Sequence, residues 1–308
     1  MSIIKVEDIA HVRFTAPDLG EMRNFLDEFG LRHVTDDGAL YMRGCGTAPF
    51  VHATTEGEPD FVGLGFRAAS KADLKAIAEA EGTSIETLDA PGGGSVVRLT
   101  DPDGRAVEIV AGQEEVAPIP VEERPPFNSI EGGTRRRSEA VRLKTGPSHV
   151  VRLGHCMLNA GDLAATIAWY QEKLGFLVSD EVELEPGLPI GYFMRCDRGD
   201  TPTDHHTLAI VQGADGPGFN HAAFEVASLD DLMLGHTHLK KAERQQEWGV
   251  GRHILGSQIF DYWRDPWGHT LEHWTDGDLF TASDPAGKAG IDQMAGVQWG
   301  PDLPPTMV

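Results

Sequence analysis

The chain is short of cysteine, of basic residues and of long apolar runs, and each shortage excludes a class of protein. Its three cysteines, Cys45, Cys156 and Cys196, show no Cys-x-x-Cys spacing, which excludes a disulfide framework and fits reduced thiols in a cytoplasm. Lysine and arginine number 26 against 48 aspartates and glutamates, a formal net charge of −22. No basic surface is left to displace phosphate counterions, so nucleic acid is not a partner. Arg135-Arg136-Arg137 is the one locally basic run, and it reads as a solvated turn. With charges screened over about 8 Å at physiological salt, local groups rather than net charge decide what binds. Hydrophobic residues make up 40 % of the chain, yet no run approaches the roughly 20 apolar residues that span a bilayer. The first residues, MSIIKVEDIAHVRF, lack a basic segment followed by an apolar one, so no signal peptide and no membrane partner are expected. A cytoplasmic globular protein of two domains remains, since its 308 residues give ample core.

What is present is a repeat. Ile9 to Val34 matches Leu153 to Val178, each reading as a strand, an Asp-Leu pair that opens an amphipathic helix, a closing glycine (Gly30, Gly175) and another strand. Phe61 to Ser70 matches Phe219 to Ser228, each running into a helix near Lys71 or Asp230. Leu99 to Val110 matches Trp263 to Trp274. The pattern predicts an α+β protein of two tandem modules of paired βαβββ units, residues 1–112 and 150–275. Residues 113–149, with Pro118, Pro120, Pro125, Pro126 and Gly132-Gly133, read as a linker arm, packed because it is long for a free loop. The Gly/Pro-rich tail, 276–308, is expected to wrap over the second module, because Trp299 and Pro301 offer something to bury.

The stretch Gly251 to Trp274, GRHILGSQIFDYWRDPWGHTLEHW, reads as a hairpin about the turn Asp265 to Gly268. It brings Tyr262 and Glu272 onto neighbouring strands facing one cavity, with His253 at its mouth. The repeat then acts as a control. His155, His221 and Glu272 of the second module correspond to His11, Gly63 and Glu108 of the first. A fold that needed these side chains for packing would keep them in both copies, whereas a metal needs one competent copy. Two imidazoles and one carboxylate also form the ligand set of non-haem Fe(II) oxygen-activating sites. Strand alternation puts His221 and Ala223 on one face and Asn220, Ala222 and Phe224 on the other. Glu272 and His273 cannot both point inward, and the match to Glu108 selects Glu272.

The other histidines sort by surroundings. His236 and His238 lie about 200° apart around a helix and are read as surface residues. His33, His52 and His149 have no constellation nearby, and His269 and His273 read as structural. His205-His206 opens a strand, HHTLAIVQ, and one of the pair faces the site. Gly92-Gly93-Gly94 lacks a following Lys-Ser/Thr and reads as a turn.

In these residues the chain resembles the type I extradiol ring-cleavage dioxygenases (catechol 2,3-dioxygenase-like) of the vicinal oxygen chelate superfamily, over nearly its whole length. The signature is Gly251-Arg252-His253, Tyr262, Asp265-Pro266-Trp267-Gly268 and Glu272; Asp261 departs from it, since an apolar residue usually precedes the tyrosine. The resemblance implies a curved mixed sheet around a cavity in each module, with the active site in the C-terminal one. It implies Fe(II), or Mn(II) in some relatives, on His155, His221 and Glu272, with O2 as co-substrate and a small aromatic diol as substrate. It implies that His206, fifteen residues before His221, is the acid–base residue, and that His253 and Tyr262 bind the substrate oxygens. The wording WGVGRHILGSQIFDYWRDPWG looks like the branch acting on trihydroxytoluene- and hydroxyquinol-type rings. A homo-oligomer is expected. The alternatives on this scaffold are a glyoxalase-like isomerase or thiol transferase, which does not require His206, His253 and Tyr262 together, and a non-catalytic binder of aromatic molecules.

Overall fold

Both Asp-Leu pairs open helices by capping them. In this computed structural model, which describes residues 2–122 and 126–307, the Asp18 side chain accepts from the Glu21 N–H and Asp162 accepts from the Ala165 N–H, satisfying an orphan donor of the first turn. The matching helices end at Gly30 (φ 110°) and Gly175 (φ 78°), in the left-handed region that favours glycine. Met1, Pro125 of the linker with its two preceding residues, and Val308 lie outside the described residues.

The first half holds β1 (Val6–Ala16), α1 (Leu19–Phe29), β2 (Arg32–Thr35), β3 (Leu40–Arg43), β4 (His52–Glu56), β5 (Asp60–Ala68), α2 (Lys71–Glu81), β6 (Glu86–Thr87), β7 (Ser95–Thr100) and β8 (Ala106–Ala111). The second half repeats the order with β9 (Val150–Ala160), α3 (Leu163–Leu174), β10 (Leu177–Glu185), β11 (Leu188–Arg195), β12 (Thr203–Asp204), β13 (Leu208–Gln212), β14 (Gly218–Val226), α4 (Leu229–Lys241), β15 (Gln246–His253), β16 (Ile259–Arg264) and β17 (Thr270–Thr275). The tail adds β18 (Leu279–Phe280), β19 (Gly287–Gly290), α5 (Ile291–Ala295) and β20 (Val297–Trp299). The first sheet runs β2-β3-β4-β1-β5-β8-β7-β6, and the second runs β19-β10-β11-β13-β9-β14-β17-β16-β15-β20. Without β19 and β20 the two orders superpose strand for strand, the paired βαβββ plan of an α+β fold.

The tail reaches both edges of the second sheet. β19 lies parallel to β10, and β20 lies antiparallel to β15, so two open edges gain partners. The first part of the linker packs on the first half, with the Val116 and Ile119 N–H groups donating to the carbonyls of Thr47 and Cys45.

The two halves share one core. Phe14 and Phe61 of the first sheet pack on Phe219 of the second at centroid separations of 5.2 and 4.5 Å. The buried His273 donates from Nε2 to the Phe29 carbonyl at 2.7 Å and stacks on that ring at 3.8 Å. His273 therefore joins the halves. Arg244, just past α4, pairs with Glu21 and Glu28 of α1.

Candidate active site

Three adjacent strands at the centre of the second sheet carry the predicted metal ligands. His155 on β9 faces Ala223 on β14, and Ala223 faces Glu272 on β17. His221 lies two residues before Ala223, on the same face. The small methyl of Ala223 between His155 and Glu272 leaves the three longer side chains room to converge. His155 Nε2 lies 3.3 Å from His221 Nε2 and 3.3 Å from Glu272 Oε2, and His221 Nε2 lies 3.4 Å from the same oxygen. Such a triangle puts each donor about 1.9 Å from its centre, close to the roughly 2.0–2.2 Å bonds nitrogen and carboxylate donors make to zinc.

The electrostatics fit a cation there. Burial pushes His155 and His221 down to about 3, so both imidazoles are neutral, as metal ligation requires. His221 Nδ1–H donates to Asn220 Oδ1 at 2.8 Å, which fixes the tautomer and leaves the Nε2 lone pair facing the triangle. Burial also raises the pKa of Glu272, whose two oxygens lack hydrogen-bond partners of normal geometry. A wholly buried carboxylate with little beyond the Tyr262 hydroxyl to donate to it is costly, and a divalent ion satisfies it.

A cavity of about 100 Å³ opens over the triangle, bounded among others by Phe193, His206, His253 and Tyr262. Tyr262 is the cross-strand partner of Glu272, and its hydroxyl lies 2.9 Å from His253 Nε2. His253 stacks on Phe260 at 4.1 Å and is the more exposed of the two. The turn between β16 and β17 forms as expected, with Asp265 Oδ1 accepting from the Trp267 and His269 N–H groups. His206 packs its ring 4.1 Å from that of His155. A larger cleft of about 510 Å³ lies elsewhere, against β1, β5 and β9, and it includes none of these donors.

Several expectations need correction. Asn220 does not take the opposite face: a bulge in the β9–β14 register at Phe219/His221 turns both Asn220 and His221 to the cavity. His205 and His206 precede β13 rather than opening it. His206 lines the cavity, while His205 turns to Asp180, with 2.7 Å between Nε2 and Oδ2. His236 is not a surface residue, because its Nδ1 lies 3.1 Å from the buried Asp261. Asp261 also accepts from Gln246 and from the Trp263 indole. It is not among the residues that line the cavity. His33 and His149 have carboxylate partners in Asp36 and Asp231, and His269 pairs with Asp265. Sequence reasoning missed Asn220, Asp180 and four tail residues that cap the cavity, Met294, Ala295, Leu303 and Met307. The only available signal for the tail was its large apolar side chains in a Gly/Pro-rich segment.

The first half holds the closed counterpart. Gly63 occupies the place of His221, and a Cβ there would meet the Ala106 carbonyl oxygen at 2.0 Å. His11 Nε2 donates to Glu108 Oε2 at 2.8 Å, and Arg13 and Arg98 donate to the same carboxylate. Burial alone would raise the Glu108 pKa, but His11 and Arg13 hold it well below the usual range. Guanidinium groups take the role that a cation would otherwise fill.

Comparisons with known proteins agree with this fold. The family model described as the Glyoxalase/Bleomycin resistance protein/Dioxygenase superfamily matches residues 152–273. Metapyrocatechase 2 of Cupriavidus necator is 30% identical, over 97% of this chain and 90% of the relative. The homoprotocatechuate 2,3-dioxygenase of Arthrobacter globiformis superposes with a TM-score of 0.79 at 22% identity, covering 100% of this chain and 92% of that one. The Mn(II)-bound glyoxalase of Novosphingobium aromaticivorans superposes with a TM-score of 0.78 at 24% identity, covering 99% and 94%. The chain belongs to the type I extradiol ring-cleavage dioxygenases of the vicinal oxygen chelate superfamily. It is an oxidoreductase that incorporates O2 into catechol-type diols. No helix among the described residues is long and apolar enough to cross a membrane.

Proposed function

We propose that His155, His221 and Glu272 hold Fe(II), with Mn(II) as the alternative, and that the enzyme opens a hydroxyquinol- or trihydroxytoluene-type ring beside its diol. The observation that carries this reading is the triangle of buried donors with edges of 3.3–3.4 Å under the cavity. Two neutral imidazoles and one carboxylate on one side of an ion match the ligand set of non-haem iron that reacts with O2. When bound, the iron lowers the pKa of a coordinated hydroxyl and supplies a redox centre open to O2.

The remaining chemistry belongs to the chain. Burial holds the Tyr262 phenol well above its usual pKa, so it stays protonated and donates. Burial keeps His253 neutral, at about 4. Together these groups hold the diol oxygens and stabilise the anion that forms when a proton leaves. Burial likewise holds His206 neutral, with a bare ring nitrogen to accept from a diol hydroxyl in its acid–base role. The cavity wall includes Met157, Trp248, Leu255 and Met294 and, among the described residues, no Lys or Arg, which suits an uncharged ring rather than a carboxylated one. A homo-oligomer remains part of the proposal.

The test is anaerobic addition of catechol, a carboxylated catechol, hydroxyquinol and trihydroxytoluene to the iron-loaded protein, followed by air. A yellow ring-opened product, with one O2 consumed per ring and the trihydroxylated substrates turning over faster, is the expected result. Preference for a carboxylated catechol would overturn the substrate assignment. No product from any diol would overturn the iron-site reading.

A further inference from the structure

We propose that Asp180 and His205 act behind His206 as positioning residues, fixing which of its nitrogens carries the proton. This rests on the reading of His206 as the acid–base residue. His205 Nε2 lies 2.7 Å from Asp180 Oδ2, and His205 Nδ1 lies 3.0 Å from His206 Nδ1. A carboxylate accepts and does not donate, so the proton between the first pair sits on His205 Nε2. With a single ring proton, His205 then has a bare Nδ1. Two Nδ1 atoms at hydrogen-bond distance need one proton between them, and His206 has to supply it. His206 is thereby left with Nε2 unprotonated, on the side of its ring away from His205. The ring lines the cavity, so it offers a diol hydroxyl an acceptor. With the tautomers reversed it would present an N–H, and the hydroxyl could not donate to it.

The surroundings show that this is a built arrangement. His205 is buried at 2% exposure, its ring lies between Phe193 and Phe280 at 5.8 and 5.2 Å, and its backbone N–H donates to the Asp278 carbonyl. Two glycines make room for it. A Cβ at Gly287, the partner of Asp180 on β19, would lie 2.1 Å from Asp180 Oδ1. A Cβ at Gly256 (φ +73°) would lie 2.9 Å from His205 Nδ1. The turn before β16 and the tail strand therefore both close on this pair without displacing it.

The test reads the His206 nitrogens directly. The full-length protein, labelled with ¹⁵N-histidine and loaded with Zn(II) as a diamagnetic occupant, is measured by long-range ¹H–¹⁵N correlation. Wild type is expected to show a protonated Nδ1 and a bare Nε2 at His206. Asp180→Asn offers both a donor and an acceptor to His205, so a second population with the reverse pattern is expected, and His205→Gln should likewise release the lock. In the Fe(II)-loaded enzyme, Asp180→Asn should lower kcat for catechol by about tenfold or more, with KM and iron content within about twofold of wild type. A protonated Nε2 in wild type, unchanged nitrogen shifts in Asp180→Asn, or an unchanged kcat would each overturn the proposal. Failure of the dioxygenase reading would show separately, as no ring opening by wild type, and would leave the nitrogen pattern to decide the relay.

Discussion

Glu272 is wholly buried, and its two oxygens lack hydrogen bonds of normal geometry, the Tyr262 hydroxyl being a weak donor to them. Such a group costs several kcal/mol unless a cation completes it. Glu272→Gln should therefore act in opposite directions on two measurements. Iron retained after dialysis should fall from near one per chain to a small fraction, and the thermal midpoint of the metal-free protein should rise, because a buried charge has gone. Metal analysis and calorimetry check the pair, and unchanged iron would remove Glu272 from the ligand set. His206→Phe should keep iron and diol binding while kcat drops by roughly 10²–10⁴-fold, the usual worth of a positioned acid–base group; rapid-mixing kinetics decide it. The three candidate ligands were legible in the sequence because the closed copy stood beside the open one. Asp180 was not, since 25 residues separate it from His205 and nothing local marks it.

At the scale of strands and helices, the βαβββ repeat was legible because its punctuation is chemical. Asp18 and Asp162 cap, Gly30 and Gly175 terminate, and the apolar residues between them keep helical spacing. Strand alternation failed at Asn220 because a bulge adds one residue at that point, and a period of two cannot survive an insertion. The tail strands were illegible for another reason. β19 is Gly-Lys-Ala-Gly, with no alternation to read, and forms only because β10 offers an open edge. β20, in turn, brings the chain that follows it back over the cavity, where Leu303 and Met307 line the wall and the Trp248 indole donates to the Pro301 carbonyl at 3.0 Å. Truncation after Gly296 should leave iron content unchanged and raise KM for alkyl-substituted catechols by about tenfold, since a buried methyl or methylene is worth about 0.8 kcal/mol and the truncation uncovers several contacts. Steady-state kinetics on catechol against 4-methylcatechol measure the difference, and an equal KM for the truncated and full chains would leave the tail without a role in binding. His11→Ala tests the closed sheet. It removes a donor to buried Glu108 and should cost roughly 1–3 kcal/mol of stability while iron and turnover stay intact. Loss of metal in that variant would place a site in the wrong half.

Across the whole molecule, the halves are joined by aromatic rings and buried imidazoles, and this makes the assembly sensitive to acid. His52 is buried at 1% exposure and stacks on Phe14 at 5.0 Å, and Phe14 in turn packs on Phe219 and His269 of the second sheet. Burial pushes its pKa down from 6.5 to about 3, against the opposing pull of Asp265. The unfolded chain therefore takes up this proton first, so the stability contributed by neutral His52 is full above pH 6.5 and is lost as pH falls toward about 3. Asp8 works in the opposite sense. Burial raises it from 3.8 to about 6, so its contribution is present below pH 3.8 and lost as pH rises through about 6. The two slopes oppose each other between pH 4 and 6, and removing the histidine alone exposes its share. His52→Leu should lower the slope of unfolding free energy against pH by up to one proton in that window, about 1.4 kcal/mol per pH unit. Urea titrations at three pH values on metal-free protein measure it. A slope equal to that of wild type would show that His52 takes up its proton in the folded chain as readily as in the unfolded one, and that the junction between the halves is not what acid attacks.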